Sequence, residues 1–102
     1  MLFMVISTPR PEKPSSVASS RKKFWKWIKP LQDAGVARWI YARPGRGAVA
    51  LFDVESHEHL HRLQNEWAEL IPATFELHPL IDASQAQAHL AKSATPKRNS
   101  GA

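Results

Sequence analysis

Hydrophobic positions follow two rhythms along this chain, one alternating and one helical. Met1 to Ser7 alternates Leu2, Met4 and Ile6 with Phe3 and Val5. A strand apolar on both faces is a strand covered on both sides. Thr8 to Pro14 holds three prolines in seven residues and predicts an extended loop. From about Ser15 to Ala34 the spacing becomes helical, with Val17, Phe24, Ile28 and Leu31 on one stripe and Arg21, Lys22, Lys23, Lys26 and Lys29 filling much of the rest. Pro30 removes a helical hydrogen bond and predicts a kink or a fresh turn, and Gly35 is a natural terminator. Val36 to Arg43 alternates again, placing Ala37, Trp39 and Tyr41 on one face and Arg38 and Ile40 on the other. The turn residues Pro44-Gly45-Arg46-Gly47 lead into a third strand, Ala48 to Val54, apolar on both faces until Asp53.

Ser56 is a helix cap, Glu58 suits the positive end of the helix dipole, and Leu60, Leu63, Trp67 and Leu70 form an apolar stripe. Pro72 interrupts that helix. Thr74 to Ile81 reads as a fourth strand, confined by Pro79 to an edge or terminal position. Gln85 to Lys92 can form a short helix, and Ser93 to Ala102 is a small, polar, basic tail. Residues 1–82 thus form one α+β domain with a short helix and flexible basic tail over 83–102. The order βαββαβ is the ferredoxin-like arrangement, an antiparallel sheet with two helices on one face. Two helices leave the other face of its doubly apolar strands open. A second subunit packed sheet to sheet covers it, giving a dimeric α+β barrel, and the expected state is a homodimer or a larger homo-oligomer.

With 102 residues and 43% hydrophobic side chains, the chain can bury one modest core. Zero cysteines exclude a disulfide scaffold, a thiolate metal site and a thiol nucleophile. The apolar opening run is too short for a signal sequence or a membrane span, and the expected location is cytoplasmic. The net charge of +5 hides a division. Residues 1–46 carry a balance of +8, residues 47–91 one of −6, and the last eleven residues +3. Such segregation fits self-association, or an anionic ligand held by the basic half, better than a coat on nucleic acid.

The opening Met1-Leu2-Phe3 with Val5, the stretch Phe52-Asp53-Val54-Glu55-Ser56 followed by Leu60-His61, and the closing Phe75-Glu76-Leu77-His78-Pro79-Leu80 resemble muconolactone delta-isomerase and its chloromuconolactone dehalogenase relatives. The resemblance covers roughly residues 1–82. It implies a cofactor-free isomerase of aromatic-compound catabolism, built on a ferredoxin-like fold that associates through its sheets and moves a proton within a lactone carboxylate. The acidic residues that family carries on its first helix have no counterpart here, where Lys23, Phe24 and Trp25 stand.

Several clusters can carry chemistry. Trp39, Tyr41 and Arg43 share one strand face, two flat rings and a guanidinium in a row that suits a planar carboxylate, with Lys22 as another cation for the anion. Imidazole is the side chain suited to proton transfer near neutrality, which makes His61 and His78 the candidate proton carriers. An inert ligand binder is the competing reading. His57-Glu58-His59-Leu60-His61 satisfies the HExxH zinc pattern. A zincin also needs a third ligand and a cleft, so the expectation is a histidine-rich helix start with no metal and no cofactor. Lys22-Lys23-Phe24-Trp25-Lys26-Trp27-Ile28-Lys29 interleaves cations and aromatics as membrane-surface helices and single-strand nucleic-acid grooves do. The core claims Phe24 and Ile28, and acids in the second half offset the lysines. A small anionic ligand is therefore expected, with no specific nucleic acid and no membrane, and a nucleic-acid or membrane-surface module is the alternative.

Overall fold

The computed structural model describes residues 1–94, and the basic tail expected at the C-terminus lies, from residue 95 on, outside the described residues. Its strands are β1 (Leu2–Pro9), β2 (Ala37–Ala42), β3 (Ala48–Asp53) and β4 (Ala73–Leu80). Its helices are α1 (Ala18–Asp33), α2 (His57–Leu70) and α3 (Ala83–Ala94), and a 3₁₀ turn over Pro14–Val17 leads into α1. The strands form one antiparallel sheet in the order β2-β3-β1-β4. This is the ferredoxin-like βαββαβ arrangement, with the doubly apolar β1 and β3 in the centre and the proline-bearing β4 at an edge.

Each helix begins and ends for reasons visible in the sequence. Gly35 takes φ 78° and closes α1 in a Schellman motif, its N–H bonded to the Gln32 carbonyl at 3.1 Å while Val36 N–H reaches the Leu31 carbonyl at 2.9 Å. The α2 cap is Ser56, whose hydroxyl accepts the His59 N–H at 3.1 Å. Pro30 neither ends α1 nor starts a fresh turn: the helix runs through it to Asp33. The missing N–H lies on the exposed side, and the Pro30 carbonyl still accepts the Ala34 N–H at 3.0 Å, so the loss stays local.

Only one sheet face is covered. Phe3 and Val5 of β1 and Ala48, Ala50 and Phe52 of β3 are buried against Phe24 and Ile28 of α1 and Leu60, Leu63 and Trp67 of α2. Trp67 is the hub, meeting Phe24 at 5.0 Å, Phe75 at 5.2 Å and Phe52 at 6.1 Å between ring centroids. The opposite face carries Leu2, Met4 and Ile6 beside Val49 and Leu51, all half-buried, with no helix or strand of the described residues over it. A register shift between Ala37 and Trp39 breaks the simple alternation expected in β2. Ala37 lies opposite Phe52 on the helix side, whereas Trp39 and Tyr41 lie opposite Leu51 and Val49 on the open face.

Beyond β4, Ile81 and every residue of α3 from Ala83 to Lys92 are exposed, Leu90 to 68%. No helix among the described residues is long and apolar enough to cross a membrane. Because Trp67 joins both helices to the sheet, Trp67→Ala should destabilise the fold by about 3–5 kcal/mol, the usual cost of truncating a buried aromatic. Urea unfolding followed by far-UV circular dichroism measures it.

Candidate functional site

The hairpin between β2 and β3 does more than reverse the chain. Its tip turns toward the end of β1 and is fastened there by side chains. The buried Ser7 hydroxyl accepts the Ala48 N–H at 2.9 Å and donates to the Ala48 carbonyl at 3.3 Å, extending the β1–β3 pairing by one step. Arg43 Nη1 donates to the Ser7 carbonyl at 2.8 Å and the Thr8 hydroxyl at 3.1 Å, and Arg46 Nη1 donates to the Arg10 carbonyl at 3.1 Å. Gly47, at φ 105°, makes the approach possible: a Cβ there would stand 2.6 Å from the Ser7 carbonyl oxygen.

Between this fastened tip and α1 lies a half-open cleft of about 70 Å³. Arg21, Phe24 and Trp25 of α1 form one wall, Arg43, Arg46 and Gly47 another, and Ser7, Trp67 and Ile71 also line it. Trp25 is 45% exposed at the mouth, an unusual setting for a residue that large and apolar. Among the described residues no acid lines the cleft, and none of its three guanidinium groups is ion-paired. Arg43 and Arg46 bond to neutral oxygens, and Arg21 has neither ion pair nor hydrogen bond among the described residues. Trp67, 1% exposed, offers an indole N–H that likewise has no hydrogen-bond partner among the described residues.

The residues singled out from sequence are dispersed by the fold. Trp39 and Tyr41 do stack beside each other, 5.4 Å between centroids at 47°, but on the open sheet face. Arg43 leaves their row, its guanidinium drawn to the end of β1. Lys22 is exposed on α1 and does not line the cleft; its neighbour Arg21 does. His61 sits exposed on α2 with its ring nitrogen 3.0 Å from Asn65 Nδ2, in a shallow groove with Trp27 and Glu66. His78 lies opposite Met4 on the open face, 3.3 Å from Glu76. The two histidines therefore stand on opposite sides of the sheet, and neither reaches the arginines. Sequence reading missed Arg21, Trp25 and Arg46. Arg21 and Trp25 are one helical turn apart, a usable signal once Phe24 is assigned to the core; the fold-back that adds Arg46 leaves no periodic trace.

Within the zinc-like run, His57 packs edge-on against Phe3, His59 Nδ1 accepts the Glu55 N–H at 3.3 Å, and His61 turns to Asn65. Among the described residues no group of three or more His, Asp or Glu side chains is placed to hold a metal ion. At the far end of the sheet, the Arg38 guanidinium, hydrogen-bonded to Asp53 at 2.7 Å, holds that carboxyl below its ordinary range, with a smaller contribution from the terminal ammonium.

The hairpin clamp makes two neighbouring glycines differ. Gly47→Ala combines strained backbone with a collision against β1 and should cost about 1–3 kcal/mol. Gly45→Ala, where an added Cβ meets nothing within 4 Å, should cost less. Urea unfolding of the pair checks the order.

A family model described as a domain of unknown function, DUF3303, matches residues 1–94, and the chain belongs to that family. No curated protein matches it.

Proposed function

We propose that this DUF3303-family protein binds a small, ring-bearing organic anion in the arginine cleft and does so without transforming it. One observation carries the reading: three guanidinium groups with no acidic partner gather beside an exposed tryptophan in one cleft. Arginine holds carboxylates and related anions through paired N–H donors, and an aromatic face at the mouth suits a flat ring. Arg43 and Arg46 are already oriented by the carbonyls they hold, so little side-chain freedom is lost on binding. The placement of the histidines favours binding over the isomerase chemistry implied by the resemblance. The cleft's only ionisable groups are arginines, which stay protonated and are poor proton carriers.

The reading extends to the assembly. The open face and α3 are both uncovered and both belong to this chain, so one two-fold operation can cover each. An axis along the strands lays the β2 edge over the partner's β4 edge and sets the two half-exposed apolar faces against each other. The occupant of the open face is thus a second copy.

Two measurements test these statements. In a thermal-shift screen of benzoate and small cyclic acids, a ligand at a hundred times its dissociation constant should add about 2.7 kcal/mol of apparent stability. Arg21→Ala should weaken the best ligand by about 1.5–3 kcal/mol, as expected for a charge-assisted hydrogen bond. Deuterium from solvent should not enter the bound ligand. Exchange that disappears in His61→Ala or His78→Ala would restore the isomerase reading. Light scattering should give twice 11.5 kDa, and Leu51→Glu, on the open face, should give the monomer with unchanged circular dichroism; wild type at 11.5 kDa at micromolar concentration would sink the dimer.

A further inference from the structure

The cleft holds more positive charge than a single carboxylate can answer. Arg21, Arg43 and Arg46 contribute three formal charges, and the acids nearest in sequence are engaged elsewhere, Glu12 with Arg10, Asp33 with Lys29 and Asp53 with Arg38. Like charges gathered without counter-charge repel, and the arrangement is relieved in proportion to the charge of the ligand it takes. A carboxylate is planar and offers two oxygens, enough for one bidentate guanidinium. Here the donors come from three segments: α1 with Arg21, the end of β2 with Arg43 and the hairpin tip with Arg46.

Size points the same way. At 10–15 Å³ for each water, a cleft of about 70 Å³ holds roughly five to seven waters. A phosphate group fits within that space. Trp25 stands exposed at the mouth and offers a ring-bearing ligand a surface to cover.

From this convergence of unneutralised donors in a small cleft, and resting on the binding function proposed above, we infer that the ligand's anionic group is a doubly charged phosphate. The ligand class is a phosphate monoester of a flat, ring-bearing group. The phosphate occupies the cleft among Arg21, Arg43 and Arg46, and the ring covers Trp25. No bond is made or broken.

The test is isothermal titration of the full chain with phenyl phosphate, benzoate and inorganic phosphate at pH 5.0 and 7.5. A phosphate monoester loses its second proton near pH 6. No His, Asp or Glu lines the cleft, and the guanidinium groups stay charged at both pH values, so a change in affinity over this range belongs to the ligand. Phenyl phosphate should bind roughly tenfold more tightly at pH 7.5 than at 5.0, since only about a tenth of it is dianionic at the lower value. Benzoate should be weaker at pH 7.5 and show no such step. Arg21→Gln should abolish the step for phenyl phosphate, and Trp25→Ala should bring phenyl phosphate down to the affinity of inorganic phosphate. Benzoate binding as tightly as phenyl phosphate at pH 7.5 overturns the phosphate assignment and leaves the anion-binding function standing. If none of the three binds, both fall. Inorganic phosphate binding as tightly as phenyl phosphate overturns the ring-bearing part of the assignment.

Discussion

The packing of Trp67 is the interaction from which the rest of the molecule follows. Its indole is the largest fully buried side chain, and around it stand Phe24 from α1, Phe52 from β3 and Phe75 from β4. Aromatic contacts of this kind are directional as well as large, so they fix where the helices sit as well as holding them on the sheet. Once Phe24 is fixed, helical geometry fixes its neighbours: Trp25 is turned toward the cleft mouth and Arg21 lies one turn earlier on the same side. Trp67 itself lines the cleft. The site is therefore a by-product of core packing on one side and of the hairpin clamp on the other, and neither part depends on a loop free to wander.

A second constraint is geometric. Two helices cover one face of a four-stranded sheet, and here the central strands are apolar on both. Along β1 the helix-side residues Phe3, Val5 and Ser7 are buried while Leu2, Met4 and Ile6 are left half-exposed, and β3 repeats the division. The bulge at the start of β2 sharpens this asymmetry. It returns Ala37 to the core, where a small side chain fits opposite Phe52, and sends Trp39 and Tyr41 to the open side. Two aromatic rings on a face the protomer cannot cover are costly in water, and the exposed α3, too short to be stable by itself, poses the same problem. The apolar surfaces left over on one copy are of the kinds that a sheet-to-sheet pair removes.

The fold was legible in sequence because its signals were periodic and local. Alternation marked β1 and β3, a capping serine and a terminal glycine marked the helix ends, and Pro79 placed β4 at an edge. What escaped was anything set by tertiary approach. A strand's alternation identifies its faces only if no residue is inserted, so the bulge between Ala37 and Trp39 separated Ala37 from the rings with which it was grouped. Arg43 was grouped with those rings on the same logic, yet its long side chain is taken by the Ser7 carbonyl, thirty-six residues away in sequence. Lys22 and Arg21 look equivalent in the sequence, and only the rotation of α1 about the buried Phe24 and Ile28 turns one to the cleft and the other to solvent. Histidines drew attention for their titration, but that property says nothing about location, and both candidates proved to stand outside the cleft.

The segregation of charge along the chain acquires a physical meaning at the hairpin. Acids of the second half are spread over the end of β3, α2, β4 and the loops after β3 and β4, whereas the three arginines of the cleft come from the first forty-six residues. Two of them are held by backbone carbonyls and one by nothing, which orients positive charge without neutralising it. A salt bridge in the same place would have added little stability at a surface and would have cancelled the field. Carbonyl anchoring keeps the field and fixes its direction, the arrangement a site needs if it is to hold an anion across the physiological pH range. The same feature limits the chemistry. Guanidinium groups can stabilise charge but do not exchange protons near neutrality, so a cleft lined by arginines, aromatics and one hydrogen-bonded serine suits the anion-binding role proposed for it, and a reaction there would need its proton carrier from the ligand or from elsewhere.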